Sequence, residues 1–483
     1  MRKWVSTGCA VVALGAIWTG TAWYTGKQLE AGLGPLAETV KAQARQIGLT
    51  VMGQSVSFEQ VSFERGVFTS HARYRVLAAP SEQDRVADKQ DVQFVARIDH
   101  GPFPLFRLAE GHFMPAMAAA RVQLAETPST AAWFSGAKGA APAMAEAVAS
   151  YGRVVSGTLT LAPVDYAQDG TTVSFSGLQA RASVAPDGRH TTFAVAAEKM
   201  DSTEPFDEKG VTRTRRLSLR GLDFSHESTQ AADGAVASAS RATIKHWAIE
   251  IDDQPVTLRD LVVTADASGT RSAMNSTFKA QVAGIDVRGT QVASVRMAAR
   301  AANMDLASFE AFRGTMAQAE GGASMGEKME GMAHLMKFLL AKPAFSVDTL
   351  QVDTPSGPAT LRLEVALDAP TLWNRAPAAI IKETVKKLDL RLSVPAESLV
   401  DLISVRGLAE GQPAEVARDA ARQQADAIRD RFLQSQWGRQ DGDKLVTNLN
   451  FEGGQVDING ERMTVDAFTV SYTHLTLPTI YSV

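Results

Sequence analysis

Thr158-Leu159-Thr160-Leu161, Val173-Ser174-Phe175, Leu217-Ser218-Leu219 and Ile249-Glu250-Ile251 alternate apolar and polar residues one by one. In an extended chain successive side chains point to opposite faces, so Leu159 and Leu161, or Leu217 and Leu219, share one face of a strand. Thr192-Phe193-Ala194-Val195 follows the rule more loosely. Between these runs stand Gln168-Asp169-Gly170, Pro186-Asp187-Gly188 and Ala232-Asp233-Gly234, which carry the residues of tight turns. Short strands joined by close turns pair antiparallel, because parallel neighbours need crossover helices. The stretch from Gly157 to Met304 therefore reads as an antiparallel meander. Its apolar face must be covered by a second layer or by a bound apolar molecule.

Outward from this stretch the periods change. Toward the N-terminus, Val51 to Val61, Arg73 to Leu77 and Val92 to Ile98 read as strands, and Leu36, Val40, Ala44 and Ile47 form one helical stripe after Pro35. Toward the C-terminus a helical region runs from about Ser308 to Lys342, broken at Gly321-Gly322. Its stripe of Met325, Met329, Met332, Met336 and Leu339 is the pattern of a core or a dimer interface. Strands return at Phe345 to Val352, Ala359 to Leu367 and Leu388 to Val394, with a short helix at Ala378 to Val385. Pro413 opens a long helix from Glu415 to Trp437, with Ala417, Ala421, Ala425, Ile428 and Phe432 on one side and Arg418, Arg422 and Arg429 outside it. Gly453-Gly454 joins a final hairpin, Val446 to Phe451 and Gln455 to Asn459.

Met1-Arg2-Lys3 precedes an apolar run from Trp4 to Tyr24 with no charge before Lys27. At about 1.5 Å per residue a helix of this run is roughly 30 Å long, the thickness of a bilayer's hydrocarbon core. Trp4, Trp18, Trp23 and Tyr24 lie where headgroups favour amphipathic rings, and Arg2 and Lys3 keep the N-terminus on the cytoplasmic side. Cleavage at Gly20-Thr21-Ala22 would instead release a soluble body, but the full apolar length favours a retained anchor. The expected fold class is thus α+β: one N-terminal transmembrane helix, then a large β-rich body of antiparallel strands with a few interspersed helices. The expected regions are 1–27 (anchor), 28–150 (post-membrane helix and first strands), 151–305 (meander), 306–468 (mixed helix and strand) and 469–483 (a non-native tail).

The chain has 483 residues, 45% hydrophobic and 21% charged, and its 49 basic and 53 acidic residues leave a net charge of −4. That balance is globular and supplies no field to recruit nucleic acid. Cys9 is the single cysteine, which excludes an intrachain disulfide and a thiolate metal cluster.

Catalytic patterns are scarce. The eight histidines form no HExxH and no established metal-ligand spacing, and Walker A and GxGxxG motifs are absent. Gly322-Ala323-Ser324-Met325-Gly326 matches GxSxG, but the preceding residues read as helix, so Ser324 is expected to cap the Met-rich helix rather than serve as a nucleophile. In Asp99-His100-Gly101-Pro102-Phe103-Pro104, neighbours on a strand face opposite ways, so Asp99 cannot readily orient His100. The expectation is a strand end fixed by Gly101, Pro102 and Pro104, with Phe103 pinned to the core. In Arg65-Gly66-Val67-Phe68, Gly66 suits a positive φ and Phe68 an anchor. These residues are assigned structural roles, with no catalytic, cofactor or metal residues.

The last two clusters carry a resemblance. Together with Gly15-Ala16-Ile17-Trp18-Thr19-Gly20 and Trp23-Tyr24-Thr25-Gly26-Lys27, the runs Arg65 to Ser70 and Asp99 to Leu105 make the chain resemble the bacterial YdgA family. The likeness extends more weakly to Leu159-Thr160-Leu161, Leu388-Asp389 and Asn459 to Met463, and ends near Phe468. It implies an inner-membrane protein, single-pass, with a cytoplasmic N-terminus and a periplasmic body, and carries over no catalytic residues. Ser471 to Val483 departs from the pattern and looks like translated adaptor sequence. The expected function is a non-enzymatic envelope binding or scaffold protein. Its partners would be the membrane, a second copy of itself or an envelope protein. The alternative is a lipid-binding module similar to AsmA-like envelope proteins, an analogy of fold alone. A hydrolase using Ser324 or His100 stands third.

Overall fold

The computed structural model describes residues 55–66, 69–79, 90–100, 103–168, 170–208, 210–319, 324–371, 377–435 and 437–468. The chain divides into two compact units, residues 1–229 with 249–252, and residues 230–248 with 253–483.

In the first unit β1 (Ser55–Arg65), β2 (Thr69–Ala79), β3 (Gln90–His100), β4 (Ala118–Leu124), β5 (Ala143–Ala149) and β6 (Val155–Leu161) form an antiparallel meander, each paired with the next. Next come β7 (Val164–Gln168), β8 (Thr171–Phe175), β9 (Leu178–Val184), β10 (His190–Glu208) and β11 (Val211–Gln230). β7 and β8 fold out as a hairpin, so β6 pairs with β9. With 19 residues, β10 is long enough to pair with β9 near its start and with β8 further on, while β11 runs back along its length.

The register lines up one apolar row across seven strands: Ala72, Ala96, Val122, Ala145, Leu159, Ala180 and Val195. Beside it Tyr74 and Phe94 are nearly inaccessible, and Trp133 and Phe134 of the short helix Ala131–Gly136 pack on the same cluster. Burial pushes the Tyr74 hydroxyl up to about 12. Truncating a side chain such as Phe94 here would cost about 3–5 kcal/mol through lost transfer energy and the cavity left behind.

The second unit continues with most of β12 (Val236–Ile251), then β13 (Gln254–Thr270), β14 (Ala273–Val287), β15 (Thr290–Met304), β16 (Ala344–Thr354), β17 (Gly357–Leu367) and β18 (Val385–Pro395). From β13 to β18 each strand pairs antiparallel with the next. Of β19 (Arg439–Asp441), β20 (Lys444–Glu452), β21 (Gln455–Ile458) and β22 (Glu461–Thr464), β20 pairs with β18, β19 and β21, and β22 closes on β21. Helices Leu306–Ala319 and Met325–Leu340 are inserted before β16, Pro377–Thr384 before β18, and Ala396–Ala409 and Ala414–Gln434 before β19. Ala417, Ala421 and Ala425 are buried as their spacing predicts, and small side chains there let the last two helices approach closely.

The expected α+β class with a membrane-spanning helix is corrected. Antiparallel strands dominate the described chain and the helices are inserts among them. Among the described residues no helix is long and apolar enough to cross a membrane. Ala414–Gln434 has 21 residues, but arginines and aspartates interrupt it throughout. The anchor expected in residues 1–27, the helix expected after Pro35 and the tail from 469 lie outside the described residues. The strands are also longer than the expected short ones. In β11 the apolar residues change phase, from Leu217 and Leu219 to Leu222 and Phe224, around Gly221 at φ 61°. One strand of 20 residues therefore looks like two short ones in the sequence.

Candidate binding surfaces

The clusters at Arg65 and Asp99 come together because β2 starts opposite the end of β3, with Thr69 facing Asp99. Asp99 is fully buried. Its Oδ1 accepts from Thr69 Oγ1 at 3.0 Å and Arg97 Nε at 2.9 Å. Its Oδ2 accepts from Arg97 Nη2 at 3.2 Å and from the Phe106 amide at 2.8 Å. Burial alone would raise the Asp99 pKa, but the bonds from Arg97, Phe106 and Thr69 outweigh it and hold the carboxyl below the ordinary range. A carboxylate this engaged cannot exchange protons near neutral pH; it anchors the helix Leu105–Ala109 to the sheet. His100 turns the other way, its Nε2 2.8 Å from Ser70 Oγ.

Two details differ from the sequence reading. Phe103 is 48% exposed, and Pro104 and Phe106 are the residues seated in the core. Gly66 is not at positive φ; a Cβ there would collide with the Thr69 carbonyl oxygen, so glycine is required by close approach. Phe68, Gly101, Pro102 and the Arg65 side chain lie outside the described residues.

The Met stripe splits into two parts. Phe338 and Leu339 are buried with Met274 and Met304, whereas Met325 and Met329 are 75% and 70% exposed and Met332 is 43% exposed. Ser324 opens this helix as a capping box: its Oγ accepts from the Glu327 amide at 3.3 Å, and Glu327 Oε2 accepts from the Ser324 amide at 2.7 Å. The GxSxG match is a helix cap.

The strands β16 to β18 present two contrasting faces. On one, Val347, Leu363 and Leu390 form a cross-strand row beside Leu350, Leu361 and Leu392, and all six are half-buried. On the other, Asp266, Thr277, Arg300, Ser346, Glu364 and Asp389 make one polar row from β13 to β18. This polar face, together with Phe345, Val347 and Leu363, lines a groove of about 880 Å³. Arg300 grips Asp348 through two bonds of 2.7 and 2.6 Å, Arg391 grips Asp389 through two of 3.0 Å, and Lys387 meets Glu364 at 2.8 Å. Arg300 holds the Asp348 carboxyl below the ordinary range despite partial burial. Apart from Asp389 in the weakly matching Leu388-Asp389, no sequence motif singled these residues out; the available signal was charge at period two in Ser346-x-Asp348, Arg362-x-Glu364 and Asp389-x-Arg391. Among the described residues no His, Cys, Asp and Glu cluster is placed to hold a metal ion.

Fold and surfaces define a two-unit antiparallel sheet protein with a charged groove on its second unit. The chain belongs to the YdgA family, a domain of unknown function: the family described as a bacterial protein of unknown function (DUF945) matches residues 1–466. Protein YdgA of Escherichia coli (strain K12) is 24% identical over 491 residues, covering 97% of this chain and 96% of that protein. The uncharacterized protein YihF of the same organism is 31% identical over 157 residues, 32% of each chain. An uncharacterized protein of Haemophilus influenzae is 25% identical over 181 residues, covering 36% of this chain and 46% of that protein. No solved structure matches the chain.

Proposed function

We propose that the protein is a non-enzymatic binding or scaffold protein of the bacterial envelope, placed at the inner membrane with its body in the periplasm. The location rests on sequence alone, on Arg2 and Lys3 followed by the apolar run to Tyr24. The binding role rests on the helix Met325–Leu340. Phe338 and Leu339 secure it to its own unit while Met325, Met329 and Met332 stand exposed, and adaptable thioether side chains suit a protein partner or a second copy. Replacing all three methionines by Gln should leave the melting temperature within about 1–2 °C, since surface changes cost about 0.5 kcal/mol or less. It should also remove envelope crosslinks or self-association seen with the full chain. Unchanged crosslinking would remove this reading's main support.

A second reading, a lipid-handling module, draws on the half-buried leucine rows of β16 to β18, which leave apolar surface incompletely covered. It predicts co-purifying lipid in native mass spectrometry, lost when Leu361 and Leu363 are replaced by Ser.

A further inference from the structure

We infer that the polar groove holds a phosphate group of a ligand, with Arg362 as its principal contact. Arg362 sits in a made place. Val347 pairs with Leu363 and Leu350 with Leu361, so Asp348 and Thr349 together oppose the single residue Arg362. β15 shifts register at the same point, between Ala298 and Ala299. This is a β-bulge, a device that breaks a ladder in order to re-aim side chains. On its other side Arg362 lies directly across from Arg391. Like charges directly opposite each other destabilise a sheet; Asp389 answers Arg391 through two hydrogen bonds, which leaves Arg362 as the member of the pair with no carboxylate bonded to it among the described residues.

The carboxylates that could neutralise Arg362 are already engaged. Asp348 is taken by Arg300 and by Ser346, Glu364 by Lys387, and Asp389 by Arg391. Arg362 feels the Asp348 charge without a hydrogen bond to it. Among the described residues no hydrogen bond engages its guanidinium, and its fork of donors matches two oxygens of a phosphate. The groove extends well past one such group. Thr349, Ser346, Thr277 and Asn275 line it with hydroxyls and an amide, suited to the polar remainder of the ligand. The phosphate could belong to a phospholipid headgroup or to a soluble phosphorylated compound. The groove is separate from the exposed methionines and, although Val347 and Leu363 also line it, its phosphate contact is Arg362, so failure of the Arg362 variants would leave the proposed function intact and the reverse also holds.

The test uses the full chain in detergent, with inorganic phosphate followed by phosphorus NMR line broadening at constant ionic strength in chloride. Wild type should broaden the phosphate line, and Arg362→Gln should weaken binding about tenfold or more. Arg362→Lys, which keeps the charge and loses the fork, should fall between them and serves if the Gln variant does not fold. Arg439→Gln removes the same charge from exposed β19 and should bind as wild type. In parallel, short-chain phosphatidylglycerol and glycerol phosphate are each competed against inorganic phosphate: displacement by the lipid alone assigns a lipid headgroup, and displacement by glycerol phosphate as well assigns a soluble compound. Wild type that does not broaden the phosphate line overturns the inference. Arg362 variants that bind phosphate as tightly as wild type also overturn it.

Discussion

Replacing Asp99 by Ala tests whether the most buried charge of the first unit is an anchor. The change removes one acceptor from four donor contacts, two from Arg97 and one each from Thr69 and Phe106. The Arg97 side chain is 43% exposed and can turn to water, so its share is about 1 kcal/mol or less. The Phe106 amide bond is buried, and an orphaned donor there costs about 1–3 kcal/mol, with the Thr69 hydroxyl adding about 1. The expected loss is about 2–5 kcal/mol, in line with other broken buried charge contacts. With a urea slope of about 3 kcal/mol/M, the midpoint for the first unit should fall by roughly 0.7–1.7 M. Trp133, packed against that core, is the natural fluorescence reporter, and hydrogen exchange at Phe106 is the local one. Arg97→Ala should cost less than Asp99→Ala, about 1–3 kcal/mol, because the buried carboxylate loses its cation but keeps Thr69 and Phe106.

The same residue predicts a pH dependence. Its folded pKa is depressed, so the unfolded chain takes up the proton first as pH falls. The stabilisation is complete above the ordinary carboxyl value of about 4 and is lost as pH drops through the lower folded value. Asp99→Asn should flatten that part of the curve. A midpoint shift for Asp99→Ala under about 0.3 M, or an unchanged acid limb in the Asn variant, would refute the anchoring role.

Two further changes probe other parts of the first unit. Gly66→Ala places a Cβ against a backbone carbonyl that cannot swing aside, so the link from β1 to β2 must shift; the expected cost is about 1–3 kcal/mol, and an unaltered thermal melt would contradict it. Arg220, Ser218 and Lys199 overcome burial to hold Asp201 down at about 2, so Asp201→Asn should remove stability at neutral pH and little of it below pH 2; equal destabilisation at both pH values would show that lost packing is the cause.

Which parts of this molecule could be read beforehand follows from the range of the interactions involved. Period two and turn residues are local, so the antiparallel pairing, the hairpin at Gly453-Gly454 and the break between the two helices before β16 were legible. β4 and β5 were not, because AAARVQL and AMAEAVA are alanine-rich and alanine favours no strand by itself. Ala120, Ala145 and Ala147 become core only when Phe94, Leu159 and their row are set beside them. Ala396–Ala409 escaped notice because Pro395 and a mixed apolar pattern hide a helix that packs on Ala421 and Ala425. The groove lies further still from local reading. Arg362 gains its meaning from a bulge in β16, an arginine on β18 and a carboxylate already held by β15, none of which is near it in sequence except through register. A charge that looks solvated in the chain can be left without a partner by pairings several strands wide, and function in such a sheet has to be sought in the residues its register leaves unanswered.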